Sequence, residues 1–201
     1  MRPAIDVGRY LIHLASPTED EDSDCLCNLR LQKLLYYVQG WHLASYAQPL
    51  FAERLEAWQH GPVVREIYST FKQFGCSTIP PLEGKEPEDL PGKDKLSIRH
   101  IWEQYKQYSA SALRAMTHRD GPWRNAYRSC GPEGRCDAEI TPDALREFFA
   151  PQLRERILRS NSAIDPTLWD STTAAMTEGR VRTVREIRRE LHHRRSRPNA
   201  R

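Results

Sequence analysis

The sequence predicts a mainly α-helical protein. One compact helical domain covers residues 1–150, with room for a short two-stranded hairpin near residues 50–60. An arginine-rich extension, either helical or disordered, covers residues 151–201. Three observations lead there. Apolar residues recur at the three- and four-residue spacing of a helix in most segments between loops. A run with four prolines and two glycines, Cys76–Lys95, separates such segments. Only the stretch between Pro49 and Gln59 leaves space for extended chain.

The elements follow in order. Asp6 is placed to cap a first helix whose Val7, Tyr10, Leu11 and Leu14 share a face. The acidic stretch Ser16–Asp24 has no aliphatic or aromatic residue and reads as a solvated loop. Asn28 then stands where a cap belongs, ahead of a long helix. Its Leu31, Leu34, Leu35, Val38, Trp41, His42 and Ser45 track one broad face. Gly40 inside it permits close approach of a neighbour at the expense of about 1 kcal/mol of helix propensity. Pro49-Leu50-Phe51 reads as an extended connector with Phe51 in the core.

Pro62 fits the first turn of the next helix, where its missing N–H would be unpaired anyway. That helix is expected to bury Val63, Val64, Ile67, Tyr68 and Phe71 and to stop at Gly75. After the loop, Leu96–Tyr108 returns to helix with Ile98, Ile101, Trp102 and Tyr105 inward. Ser109 or Ser111 caps a short helix carrying Leu113 and Met116. Thr141-Pro142 opens another through Leu145, Phe148 and Phe149. Leu153–Ser160 is either a further helix or a continuation past Pro151. Val181–His193 has the pattern of an amphipathic helix, with Val184, Ile187 and Leu191 on one stripe.

A hydrophobic share of 39% and a charged share of 28% suit a soluble globular protein. No run of about 18 uncharged apolar residues is available to span a membrane. Asp6 and Arg9 interrupt the N-terminal apolar stretch, which lacks a signal peptide's layout. A cytoplasmic location is the expectation. Five cysteines, an odd number, favour reduced thiols over a disulfide framework. Neither Cys25-x-Cys27 nor the Cys130/Cys136 pair has zinc-knuckle spacing. The net charge of +3 conceals an asymmetry: residues 171–201 hold nine arginines against three glutamates, leaving the rest of the chain mildly acidic. A basic segment on an acidic body points to a partner of complementary charge.

The sequence carries no Walker loop, dinucleotide fingerprint, nucleophile elbow or zinc-protease helix. Its carboxylates cluster in loop-like runs rather than in buried pairs. The expectation is therefore a protein without catalytic residues, cofactor or metal. His42, His60, His100 and His118 are the histidines placed to serve a site, although a structural histidine is the commoner case. The basic segment could hold nucleic acid through its arginines, but no recognition motif accompanies it. Its apolar stripe equally fits a helix laid in a protein groove. Val184, Arg185, Ile187, Arg188 and Leu191 are the expected partner-binding residues.

Four blocks then acquire a collective meaning. LRLQKLLYYVQGWHLA, QPLF, EAWQHGPVVREIYSTF and LRAMTHRDGPWRNA resemble, in this order, the successive blocks of the Panacea domain, also called the SocA-like or phage GepA-like antitoxin domain. With their flanks they cover about residues 3–149. The resemblance implies a non-enzymatic, mainly helical antitoxin of bacteria or phage that neutralises a toxin by direct contact. The implied partner is a cognate toxin, with translation-inhibiting enzymes among the toxins paired with this family. One family member is instead an adaptor that delivers its toxin to a cytoplasmic protease. That role, and a nucleic-acid-binding regulator acting through the tail, are the alternatives. A hydrolase using His118 is a further rival, and a homo-oligomer is left open.

Residue by residue, Gln32, Lys33, Leu34, Tyr36 and Tyr37 match the first block. Glu56, Ala57, Trp58, Gly61, Pro62 and Val63 match the third. Thr117, His118, Pro122 and Trp123 match the last. Lys33, Glu56 and His118 are expected to make internal polar bonds, with Trp58 and Trp123 packed beside them. The alternative is that these polar residues line a shared pocket.

Overall fold

The computed structural model describes residues 1–16, 26–80, 90–131 and 136–159. Among them are seven α-helices and one two-stranded hairpin, so the mainly helical expectation holds. The acidic loop from residue 17, half of the 76–95 loop and all residues beyond 159 lie outside the described residues. The expected tail residues Val184, Arg185, Ile187, Arg188 and Leu191 are among the latter.

Helix α1 (Ala4–Leu14) starts two residues before Asp6, which sits in its first turn and does not cap it. The Ala4 N–H is instead satisfied by the carboxylate of Glu53, 2.9 Å away. Helix α2 (Asn28–Tyr46) is the centre of the molecule. Asn28 is its first helical residue rather than its cap. The Asn28 amide donates to the Tyr68 carbonyl and accepts from Gln32. Sixteen residues of α2 are buried, on every side of the helix, because helices pack around it and several of its polar residues, Asn28, Gln32, Lys33 and Gln39 among them, find internal partners.

Gln39 fixes the next connection, which holds Pro49. Gln39 accepts from the N–H groups of Leu50 and Phe51 and donates to the Phe51 carbonyl, which seats Phe51 in the core at 1% exposure. Strand β1 (Leu55–Trp58) pairs antiparallel with β2 (Gly61–Val64) through a two-residue turn, Gln59-His60. The hairpin therefore exists, but its second strand runs past the expected region. Pro62 lies in that strand and not in a helix; helix α3 (Arg65–Phe71) begins only after Val64. Tyr68 is 38% exposed rather than buried. A 3-10 turn (Lys72–Phe74) follows and ends at Gly75.

Helix α4 (Gly92–Tyr105) starts four residues earlier than its apolar pattern suggests and buries Ile98, Ile101, Trp102 and Tyr105. The Ser109 hydroxyl accepts from the Ala112 N–H and caps α5 (Ala110–Arg119). Helix α6 (Gly121–Arg128) has Pro122 in its first turn. The Thr141 hydroxyl accepts from the Ala144 N–H at the start of α7 (Pro142–Arg159). This helix continues through Pro151, so residue 150 lies inside it. Its Phe149 ring lies on Gly40: a Cβ there would stand 2.2 Å from the ring. The same ring meets Tyr36, Tyr37 and Trp41 edge-on. Gly40 thus fulfils the close-packing role expected of it.

One cysteine expectation fails. Cys130 and Cys136 form a disulfide with Cα atoms 5.4 Å apart. Gly131, with φ of +71°, takes the backbone through the left-handed conformation this short return needs. Cys27 and Cys76 are free thiols.

Candidate functional site

The matched blocks converge on the outer edge of the hairpin. In the antiparallel register, Leu55 faces Val64 and Ala57 faces Pro62. The Ala57 N–H donates to the Ala138 carbonyl and the Leu55 carbonyl accepts from Ile140. Both residues of β1 therefore turn their backbone groups away from β2, and their partners Val64 and Pro62 turn theirs outward too. Proline is tolerated at such a position because no ladder bond is lost.

That outward edge is closed by side chains of α2. The Val64 N–H donates to the Gln32 side-chain oxygen at 2.9 Å. The Pro62 carbonyl accepts from Lys33 Nζ at 2.8 Å. Two adjacent residues of a helix thus stand in for a neighbouring strand, and exposed strand edges need such cover. Gly61 completes the arrangement. Its φ is +99°, and a Cβ there would lie 2.7 Å from Lys33 Cε and 2.9 Å from the Thr117 hydroxyl.

On the β1 side, Glu56 receives Arg65 through two bonds of 3.0 and 2.7 Å and the Trp58 indole N–H at 2.7 Å. Burial raises the Glu56 pKa, but the bonds from Arg65 and Trp58 outweigh it and hold the carboxyl below its ordinary range. The Arg65 guanidinium also lies over the Trp58 ring. Tyr68 meets Trp58 edge-on at 5.0 Å. A half-buried tryptophan, an exposed tyrosine and an arginine therefore share one surface.

Helices α5 and α6 supply the third side. Trp123 is stacked between His118, at 3.9 Å, and Tyr127, at 4.8 Å. Its indole N–H donates to the Trp58 carbonyl at 3.0 Å. His118 differs from expectation in one respect. Its Nε2 is buried without a hydrogen-bond partner among the described residues, and the ring is held by stacking instead. Burial, then the charges of Arg114, Lys33 and His60, bring its pKa down to about 4, so it is a neutral imidazole at neutral pH.

Tyr36 and Tyr37 lie away from this edge, beside Asp120 and Tyr105. Tyr37 donates to Asp120 at 3.2 Å and stacks on Tyr105. Burial lifts Asp120 to about 6. His42 is buried elsewhere, with its pKa lowered to about 4 by burial, and His100 contacts Gln104.

A cleft of about 770 Å³ opens beside the hairpin edge. Gln32, Lys33 and Trp58 of the matched blocks line it, and so do Arg114, Lys72 and His60. Lys33 is 0% exposed. Burial, reinforced by the charge of Arg114, lowers its pKa to about 7. Arg114 was not singled out from the sequence, although it sits in the last quoted block, one turn before His118. Tyr68 was singled out only as core. Its exposure follows from the α3 register, which the strand at Pro62 sets.

Comparison with known proteins agrees with this geometry. Residues 31–124 match the family model described as Antitoxin SocA-like, Panacea domain. Antitoxin SocA of Caulobacter vibrioides (strain NA1000 / CB15N) is 33% identical over 161 residues, covering 75% of this chain and 82% of that protein. No solved structure matches. The matched span contains the α2 pair that closes the strand edge, the hairpin and the Trp123 stack, and the chain belongs to the SocA-like Panacea-domain antitoxin family.

Proposed function

We propose that this antitoxin neutralises a cognate toxin by direct protein–protein contact in the cytoplasm, with no catalytic chemistry of its own. The kinship with Antitoxin SocA over three quarters of the chain carries this reading. The geometry of the matched residues supports it. Gln32, Lys33 and Trp123 spend their polar groups on holding the hairpin to α2 and α6, and Glu56 ties it to Arg65 at the start of α3. At the edge of that lattice, Trp58, Tyr68 and Arg65 share a surface of the three residue types that dominate the energetics of protein interfaces. Among the described residues no helix is long and apolar enough to cross a membrane.

Specificity for one toxin is assigned to the arginine-rich segment of residues 171–201, with Val184, Ile187 and Leu191 as the apolar contacts and Arg185 and Arg188 beside them. The test is co-expression with the toxin encoded in the neighbouring reading frame. The full chain restores growth and co-purifies with intact toxin. A chain ending at residue 170 stays folded and fails to restore growth. Full rescue by that shorter chain overturns the role of the segment. Toxin that disappears instead of persisting in a complex overturns direct neutralisation and favours delivery to a protease.

A further inference from the structure

The cleft beside the hairpin edge concentrates basic groups without an acid. Lys33 enters it from α2, His60 from the turn, Lys72 from the 3-10 turn and Arg114 from α5; among the described lining residues there is no Asp or Glu. The nearest acid of the hairpin, Glu56, is already engaged by Arg65 and Trp58. His118 adds a neutral ring behind Arg114. Closing the strand edge needs one donor to the Pro62 carbonyl, and the Lys33 amine gives one. That task requires neither a second cation nor a cavity. The Arg114 Nε is nevertheless buried with no hydrogen-bond partner among the described residues.

Lys72 and His60 are exposed, whereas Lys33 is buried and Arg114 half-buried; two like charges in a partly desolvated place oppose folding unless something offsets them. Apolar and aromatic residues, Trp58, Val63 and Tyr68, line the cleft as well. Its volume of about 770 Å³ falls within the range of small-molecule sites, about 300–1,000 Å³.

We propose that this cleft is a binding site for a small organic anion, whose carboxylate or phosphate sits at Lys33 and Arg114 and whose flat apolar body lies against Trp58 and Tyr68. Arginine offers such groups a forked pair of donors and lysine a point charge. A bound anion favours the ammonium form of Lys33, so binding takes up a proton near neutral pH and weakens in alkali. Arg114 and Lys72 line the same space and reinforce the attraction, and His60 lines it too; the Thr117 hydroxyl, beside Lys33 at Gly61, is uncharged. This site needs no toxin and does not depend on the proposed mode of neutralisation.

The experiment uses the full-length protein alone, titrated with phenyl phosphate, benzoate and adenosine 5′-monophosphate by calorimetry and Trp fluorescence. Inorganic phosphate and uncharged adenosine serve as comparators. At least one of the aromatic anions binds at millimolar concentration or below. Arg114→Gln and Lys33→Met each weaken it by about tenfold or more. Binding is weaker at a pH of about 9 than at about 6, as expected of an amine titrating between them. Arg114 is only half-buried and makes no side-chain bond to the hairpin, so Arg114→Gln carries the test if Lys33→Met fails to fold. The proposal is overturned if no aromatic anion binds, or if Arg114→Gln binds as the wild type does. Adenosine binding as tightly as its monophosphate, or inorganic phosphate as tightly as phenyl phosphate, overturns it equally.

Discussion

Two Gly-Pro dipeptides, each close to a tryptophan, lie 60 residues apart in this chain and do opposite things. Gly61-Pro62 opens a strand; Gly121-Pro122 opens a helix. Pro62 and Pro122 are both buried, so burial does not separate them. The difference lies in what surrounds each glycine. Gly61 has φ of +99° and is walled in by Lys33 and Thr117, whereas a Cβ on Gly121 would meet only the Phe148 ring at an ordinary 3.7 Å. Asp120, before the second pair, has extended backbone and its carbonyl accepts from Arg124; this is the usual entry to a helix with proline in its first turn. The residues that make Pro62 a strand residue are Gln32 and Lys33, about 30 positions earlier. The same dipeptide thus takes different structure according to its flanking residues and to side chains supplied from a distance.

The sharpest way to break this comparison is alanine at each glycine. Gly61→Ala combines positive φ with contacts under 3.0 Å and is expected to destabilise by about 3 kcal/mol or more. Gly121→Ala, in ordinary helix geometry, is expected to change stability by less than about 1 kcal/mol. Urea denaturation of the two variants measures the contrast. Equal losses would mean that the pocket of Lys33 and Thr117 does not distinguish the two sites.

Glu56→Gln is next in size. It removes the charged acceptor of Arg65 and Trp58, with an expected loss of about 1–2 kcal/mol at neutral pH. The pH dependence has a definite sign. A carboxyl held below its ordinary value of 4.5 stabilises the fold above that pH, and the stabilisation disappears as pH falls through the folded value. Wild type and Glu56→Gln should therefore converge in acid when melting temperature is followed by circular dichroism. A constant gap down to strongly acidic pH would show that the charge contributes nothing.

A smaller loss than that of Glu56→Gln is expected at the link between the two segments. Trp123→Phe keeps the ring stacked between His118 and Tyr127 but loses the bond to the Trp58 carbonyl. A loss of about 1 kcal/mol is expected. Denaturation midpoints unchanged from wild type would mean that water replaces the indole N–H without penalty.

The same contrast explains what could be read from the sequence. Helical spacing of apolar residues pointed to α2, α4 and α7 because such spacing is a local property of the sequence, although α2 proves buried on every side. Gly40 was legible for a related reason: a glycine in an otherwise strong helix signals a close neighbour, here Phe149. Pro62 was misread because a proline before two valines is equally consistent with a helix start and with a strand edge. Only the Gln32 and Lys33 contacts separate the two. Of the three residues expected to make internal polar bonds, Lys33 and Glu56 do so and His118 does not, and Trp58, expected only to pack beside them, also donates to Glu56. The cleft was visible only as an alternative, since it needs Lys72 and Arg114 from elements that converge in space alone. The disulfide escaped because an odd cysteine count says nothing about which two thiols meet.

The seat of Phe149 on Gly40 has a practical corollary for dissecting this family. The family match stops at residue 124, yet α7, which begins at residue 142, presses a ring directly onto the backbone of the central helix. Excising the matched span by itself would strip Tyr36, Tyr37 and Trp41 of an aromatic neighbour and leave the middle of α2 facing water. The smallest independently folding unit is therefore expected to reach at least past Phe149. Chimeras between relatives are best joined beyond Arg159, where exchange leaves this aromatic keystone in place.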